Sequence, residues 1–467
     1  MTMKLISQAK LFKKKCHYNT LESKGLAKYV GNEEGNNADS TSVENYFFGE
    51  APIQRSVGFE VEVGYVPFWD QAQKLEVVNR RIPFSKTNYP MFSIHDCVLE
   101  GNGFELQVDV SFPENVPYLE FVTSPFEESE KGYDRMVETI SIISNLMEEL
   151  DEKGKLSKMI KAKSVLPKFG KLNPAFEEIE LFSANNPKAG YFQFTAGISL
   201  ECLPIVYDDV AMPKPDESEE MSQRRKKMRE LFSDWTVGNT RNLERQPGYL
   251  FRQVVDVLND MQLFQELENA SKGFLLQLFQ YLVFSDKKQV TYAKSMPVIL
   301  SRTDFAAMFE HLPLEDKKRL SQEEVWLPFF DQAMERLNLG SFQLPVFSKG
   351  VYQTDKAEER QQIFSALSRQ SWFEHIVEGT DMLTSRNFPD EQWAHKLESL
   401  GSLGSQMDMD DDGVSKLPVF EFRYVCEIMP YHRWLELCKS IFLWVHALNQ
   451  KKDLKFNEAT EEMFFAK

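Results

Sequence analysis

A chain of 467 residues with 42% hydrophobic residues, 27% charged residues and 37 phenylalanines carries too much apolar and aromatic surface to remain disordered over most of its length. Its formal net charge of −17 argues against general binding to nucleic-acid phosphates, and no apolar run reaches the length of a membrane span. The five cysteines, Cys16, Cys97, Cys202, Cys426 and Cys438, form no CxxC pair. That leaves a disulfide framework or a zinc site without support and points to a reducing, cytoplasmic compartment.

In chain order, residues 1–50 read as a basic arm, MTMKLISQAKLFKKKCHYNT, and a polar, flexible leader at 31–45. The arm lacks the apolar stretch of a secretory signal. VGFEVEVGYV (57–66) and PYLEFVTSPF (117–126) have strand character, and strands dominate to about residue 125. Met136, Ile140, Ile143 and Met147 recur at helical spacing and predict a helix over 130–152. The lysine-rich stretch 153–171 reads as a basic loop, and GYFQFTAGISLE (190–201) as a further strand. A charged insert at 213–228 opens a mainly helical stretch to about 377, with LFRQVVDVLNDMQLFQEL and GFLLQLFQYLVF as its clearest amphipathic pieces. A loop at 400–416, rich in glycine and aspartate, precedes the strand LPVFEFRYV (417–425) and a helix at 431–448. No internal repeat of fixed period is present.

Successive side chains of a strand point to opposite faces. Phe59, Val61 and Val63 therefore lie opposite Glu60 and Glu62, and Phe420, Phe422 and Tyr424 opposite Glu421 and Arg423. Glutamate is depleted in strands, so these residues need a reason. One is the solvated face of an antiparallel sheet; the other is a concave face that holds divalent cations. Glu60, Glu62, Glu120 and Glu421 offer oxygen ligands suited to Mg²⁺ or Mn²⁺, and Gln193 falls in a similar position. Arg423 shares a strand face with Glu421 and suits a phosphate beside such an ion. Arg302 in LSRTDF and Arg386 in LTSRNF are further candidates, each with a structural salt bridge as its rival explanation. His95 and His311 read as structural or surface residues. DMDDDG lacks the glutamate of a calcium loop, and the phosphate-loop, dinucleotide, HExxH and GxSxG signatures are absent.

The series GFEVE, LEFVTSPF, a β stretch with a polar pair, and EFR resembles the order of elements in the glutamine synthetase and γ-glutamate–cysteine ligase superfamily. Its amidoligase branch has a G-x-E-x-E strand before an E-[IVF]-[VT]-S-P element. The matching motifs cover about 40 of the 467 residues. The resemblance implies an α+β fold: a curved, mainly antiparallel sheet forming a funnel, with outer helices and a large helical insertion. The catalytic domain would occupy 51–205 and 381–467, interrupted by a substrate-shaping insertion at 206–380. The resemblance also implies ATP, two or three Mg²⁺ or Mn²⁺ ions, and ligation of a carboxylate to an amine through an acyl phosphate. Glu60, Glu62, Glu120 and Glu421 would ligate metal. Arg423 would contact phosphate or the substrate carboxylate, with Arg302 and Arg386 as further catalytic arginines. Gln193 and Thr195 would contact the nucleotide, although the family usually carries a histidine in the third element, where this chain has Gln193.

The expectation is thus an ATP- and Mg²⁺-dependent carboxylate–amine ligase. By the resemblance it would act on glutamate and, given the size of the insertion, on a peptide or protein acceptor. Segment 400–416 would be its lid, with Asp408 or Asp410 helping to deprotonate the amine. Two rivals stay open: a phosphoryl- or nucleotidyl-transferase on the same fold, and a non-catalytic binding protein, such as an effector delivered into another cell.

Overall fold

Residues 56–63 show how the sheet acquires two faces. Val57, Phe59, Val61 and Val63 are buried, while Ser56, Gly58, Glu60 and Glu62 between them are only partly covered. The computed structural model describes residues 55–63, 65–68, 95–111, 116–157, 159–183, 189–212, 214, 247–288, 299–340, 368–379, 407–409 and 416–449. The basic arm and leader lie outside these residues, as do the 213–228 insert apart from Lys214, Arg386 and Asp410.

The strands are β1 (Ser56–Val63), β2 (Tyr65–Phe68), β3 (Cys97–Gly101), β4 (Phe104–Ser111), β5 (Val116–Thr123), β6 (Phe126–Glu127), β7 (Met159–Lys161), β8 (Gly170–Leu172), β9 (Glu180–Ser183), β10 (Ala189–Gly197), β11 (Ile299–Ser301), β12 (Met407–Met409) and β13 (Lys416–Pro430). The main sheet runs β11-β13-β10-β1-β5-β4-β3-β8, with β12 also on β13 and β6 on β1. Every pairing in it is antiparallel. Among the described residues its end strands, β11 and β8, do not pair with each other, and the sheet is not closed. The fold is α+β, with helices and an antiparallel sheet in one chain.

The helices that shape the packing are α1 (Glu130–Leu156), α2 (Leu203–Val210), α3 (Pro247–Asn259), α4 (Asn269–Lys288), α5 (Phe305–Glu310), α6 (Glu323–Arg336), α7 (Arg369–Glu378) and α8 (Trp434–Asn449). α1 starts where Ser129 Oγ accepts from the Gly132 N–H at 3.1 Å, and it ends with Lys153 and Lys155 against the negative end of the helix dipole. A Cβ at residue 132 would lie 1.8 Å from the Glu127 carbonyl oxygen, so glycine is needed for this close approach to β6.

α8 supplies the cover for the apolar face. Phe194 and Phe422 stack across β10 and β13 with ring centroids 4.4 Å apart, and Trp444 meets both edge-on. Trp434 at the other end of α8 contacts Phe121 of β5, while Phe442 meets Tyr133 of α1. Aromatic pairs of this geometry add about 0.5–1.5 kcal/mol beyond the area they bury. A buried polar knot fixes the edge of this layer. Arg55 Nε donates to Glu128 at 2.8 Å, and Asn449 Nδ2 donates to Glu128 at 2.9 Å and to the Gly197 carbonyl at 2.8 Å. The start of β1, the start of α1, the end of β10 and the end of α8 are thereby tied together.

Four sequence expectations change. The 57–66 strand breaks after Val63, and Tyr65–Phe68 pairs instead with β9 in a second sheet, β2-β9-β7. The 153–171 stretch contains β7, β8 and short helical turns, because Ile160, Ala162, Val165 and Leu166 are buried between outward-facing lysines that mask the apolar pattern. The helical stretch contains β11, which joins the main sheet beside β13. Within the expected lid, Met407–Met409 is a strand paired with β13, with Asp408 opposite Leu417.

Phe422 touches both Phe194 and Trp444, so Phe422→Ala is expected to cost about 3–5 kcal/mol of unfolding free energy by urea denaturation. Phe422→Leu, which leaves a smaller cavity, should cost markedly less.

Candidate functional site

The polar face of the main sheet is assembled by register. Glu62 pairs with Glu120, and Glu120 with Gln107 on its other side; Glu60 pairs with Gln193, and Thr195 with Glu421. Paired residues project to the same face. β10 and β13 slip register between Phe192 and Phe194, an irregularity of the kind that increases twist and re-aims side chains.

Side chains from six strand segments meet here. Gln193 Nε2 donates to Glu60 at 2.6 Å and to Glu120 at 3.3 Å. Arg302, the residue after β11, donates through Nε to Glu421 at 2.5 Å, and its Nη2 reaches Glu60 at 3.3 Å. Arg423 Nη1 donates to the other oxygen of Glu421. Glu421 has no exposed surface, so two guanidiniums compensate one fully buried carboxylate. Removing a single partner from such a group costs several kcal/mol, because a charge is then left uncompensated.

Beside this basic half lies an acidic one. Glu62, Asp109 and Glu120 each present a carboxylate oxygen, all within 4.8 Å of one another. Tyr118 OH donates to Asp109 at 3.1 Å, and its hydroxyl also favours the ionised form of Glu62. Three oxygens at that separation suit a hard divalent cation, which keeps water in its remaining positions. Five carboxylates (Glu60, Glu62, Asp109, Glu120 and Glu421) thus face two guanidiniums, an excess of three formal negative charges.

Burial is the main force raising these acids, and their like charges add to it. Burial pushes Glu62 up to about 7; Arg423 opposes the shift and Asp109 adds to it. Burial raises Glu120 well above the usual carboxylate range, reinforced by Glu60, Asp109 and Glu62. Glu60 is raised by burial as well, and Arg302 offsets part of that. Burial pulls Arg302 down, but Glu421 and Glu60 outweigh it and hold the guanidinium above its ordinary value.

No protein-family model, curated protein or solved structure matches this chain.

Of the residues singled out from sequence, Glu60, Glu62, Glu120, Gln193, Arg302, Glu421 and Arg423 come together. Arg302 makes salt bridges as its structural rival explanation required, but it makes them inside the cluster. Thr195 sits on the same face opposite Glu421, and its hydroxyl has no hydrogen-bond partner among the described residues. Asp408 lies on β12, while Arg386 and Asp410 fall outside the described residues. His311 lies outside the cluster, its Nδ1 2.7 Å from the Ala307 carbonyl oxygen.

Sequence reasoning missed Asp109, Tyr118 and Gln107. The signal was available: in FELQVDV, Phe104, Leu106 and Val108 are buried and alternate with Glu105, Gln107 and Asp109.

A carboxyl that titrates higher in the folded than in the unfolded chain keeps its proton longer when folded. Its penalty on stability therefore grows as pH rises from about 4.5 to about 7 and is complete above that. In the presence of a chelator, melting temperature should fall between about pH 5 and pH 7.5, and Glu62→Gln should flatten the fall. A fall of unaltered size in that variant would exclude Glu62 as its source.

Proposed function

We propose that this protein is an ATP- and Mg²⁺-dependent carboxylate–amine ligase. The observation that carries the reading is the convergence of Glu60, Glu62, Asp109, Glu120 and Glu421 with Arg302 and Arg423 on one sheet face. The resemblance of the strand motifs to the glutamine synthetase-like superfamily gives that convergence a chemistry. The curved funnel, the cytoplasmic setting, glutamate as a substrate and a peptide or protein acceptor belong to the same reading.

Glu62, Asp109 and Glu120 would hold the divalent cation; of the other two glutamates expected as ligands, Glu60 is linked to Glu120 through Gln193 and Glu421 is bonded to Arg302 and Arg423. With metal in place, rotation of the Gln193 amide would present its oxygen instead of its N–H. The cation, when bound, neutralises charge on the transferring phosphoryl group. In the first step a substrate carboxylate oxygen bonds to the γ-phosphorus and the bond to ADP breaks. In the second an amine nitrogen bonds to the acyl carbon, phosphate leaves, and the amine proton passes to a nearby carboxylate or water. Arg302 and Arg423 would hold phosphate oxygens, exchanging part of their contact with Glu421 for contact with the nucleotide. The helical stretch between β10 and β13 would wall the acceptor side.

Gln193 already serves Glu60 and Glu120. This favours a smaller metal set than a histidine would and keeps a second reading in view, transfer of a phosphoryl or nucleotidyl group. Incubation with ATP, Mg²⁺, glutamate and a lysate protein pool separates the two. ADP, phosphate and a mass gain equal to one amide-linked glutamate support ligation; pyrophosphate with an adenylylated product, or ADP with a phosphorylated product, supports transfer.

Calorimetry should give ATP binding that depends on Mg²⁺, because clustered carboxylates repel phosphate without it; equal affinity with and without the ion would defeat both readings. Arg423→Lys should keep the fold and lower turnover by about 10²-fold or more. Asp109→Asn should weaken Mg²⁺ binding.

A further inference from the structure

We propose that Gln280, assisted by Gln277, is the positioning residue for Arg302. α4 is apolar on nearly all sides: Phe274, Leu275, Leu278, Phe279 and Leu282 have no exposed surface. Yet the same helix buries Gln277 and Gln280 to 1% exposure. A buried amide left unsatisfied costs roughly 1–3 kcal/mol, so each needs a built partner.

That partner is the backbone of Ile299. Gln280 Nε2 donates to its carbonyl at 3.0 Å, and Gln280 Oε1 accepts from its N–H at 3.3 Å. Gln277 Nε2 donates to the same carbonyl at 3.0 Å, while its own oxygen accepts from Tyr207 OH of α2 at 2.7 Å. β11 is three residues long and, among the described residues, pairs as a strand only with β13. The two amides occupy its other edge and perform there what a further strand would do.

Three positions beyond Ile299, the Arg302 N–H donates to the Val419 carbonyl at 2.8 Å, and Thr303 Oγ1 accepts from the Val419 N–H at 2.8 Å. A slip of one residue in so short a strand would turn the Arg302 side chain off the acidic face. Gln280 thus fixes the register that places the guanidinium between Glu421 and Glu60. The inference deepens the ligase reading and rests on it only where turnover is measured.

The test uses full-length protein labelled with ¹⁵N at arginine Nε, with Arg302→Lys identifying the Arg302 signal. Gln280→Met keeps the chain length but removes both bonds to Ile299. In it, the Arg302 Nε–H should move toward the signals of solvated arginines and exchange with water about tenfold faster or more. An Arg302 signal and exchange rate equal to wild type would overturn the proposal. Should Gln280→Met fail to fold, Gln277→Met carries the same test with a smaller expected change, and no change there would also overturn it.

On turnover with MgATP, Gln280→Met should cost about tenfold or more and add nothing in an Arg302→Lys background. Additive losses would show that Gln280 acts elsewhere. Absence of turnover in the wild-type protein would remove the ligase reading while the resonance experiment still decides the positioning role.

Discussion

Glu421 is the residue on which the polar face depends. It lies in the middle of β13, between β10 and β11, without exposed surface, and its neighbours in register are Thr195 and Leu300. A lone carboxylate there would take up a proton. Arg302 and Arg423 instead pair with it from two sides, and in doing so they are themselves brought onto a face crowded with other acids. The pairing is thermodynamically ambiguous in itself, since replacing a buried ion cluster by apolar residues of similar volume often stabilises a protein. Its persistence is easier to account for by what the arginines face than by the stability they confer.

The two halves of the site differ in how their charge is satisfied. In the Arg302–Glu421–Arg423 half, each charge has an opposite partner within hydrogen-bond distance. In the Glu62–Asp109–Glu120 half, the partners are a phenol, other acids and the amide of Gln193, and burial raises Glu62 and Glu120 above the usual carboxylate range. A divalent cation would relieve the second half and leave the first intact. Under the proposed reading, a nucleotide phosphate would then meet cation on one side and guanidinium on the other, an arrangement suited to phosphoryl transfer.

How much of this was legible in the sequence follows from the range of the interactions. Strand phase is local, so VGFEVEV and FEFR disclosed which side chains share a face, and Met136, Ile140, Ile143 and Met147 disclosed α1. Strand order is not local. The four glutamates lie together because β1 pairs with both β5 and β10, and β10 with β13. The strand motifs indicated this only through a family resemblance. β11 was hidden for a different reason. Ile299–Ser301 is too short to show alternation, and its edge is completed by side chains of α4 instead of a strand. Asp109 was overlooked although its alternation is as clear as that of Glu60 and Glu62. The β7–β8 region was read as loop because lysine density outweighed four scattered buried positions.

The helical stretch between β10 and β13 has two tasks that pull on its sequence in different ways. It must bury itself, and it does so with aromatic clusters such as Phe279–Phe330–Phe373 and Tyr281–Phe305–Trp372. It must also return the chain to the sheet at β11, where two glutamines and a tyrosine interrupt that apolar packing. A core built only for stability would place leucine or methionine at those positions. The polar exception lies on the helix that abuts β11, and its bonds fall on Ile299, three residues before the arginine that completes the charge balance around Glu421. Through β11 the helical stretch is therefore part of the framework of the polar face.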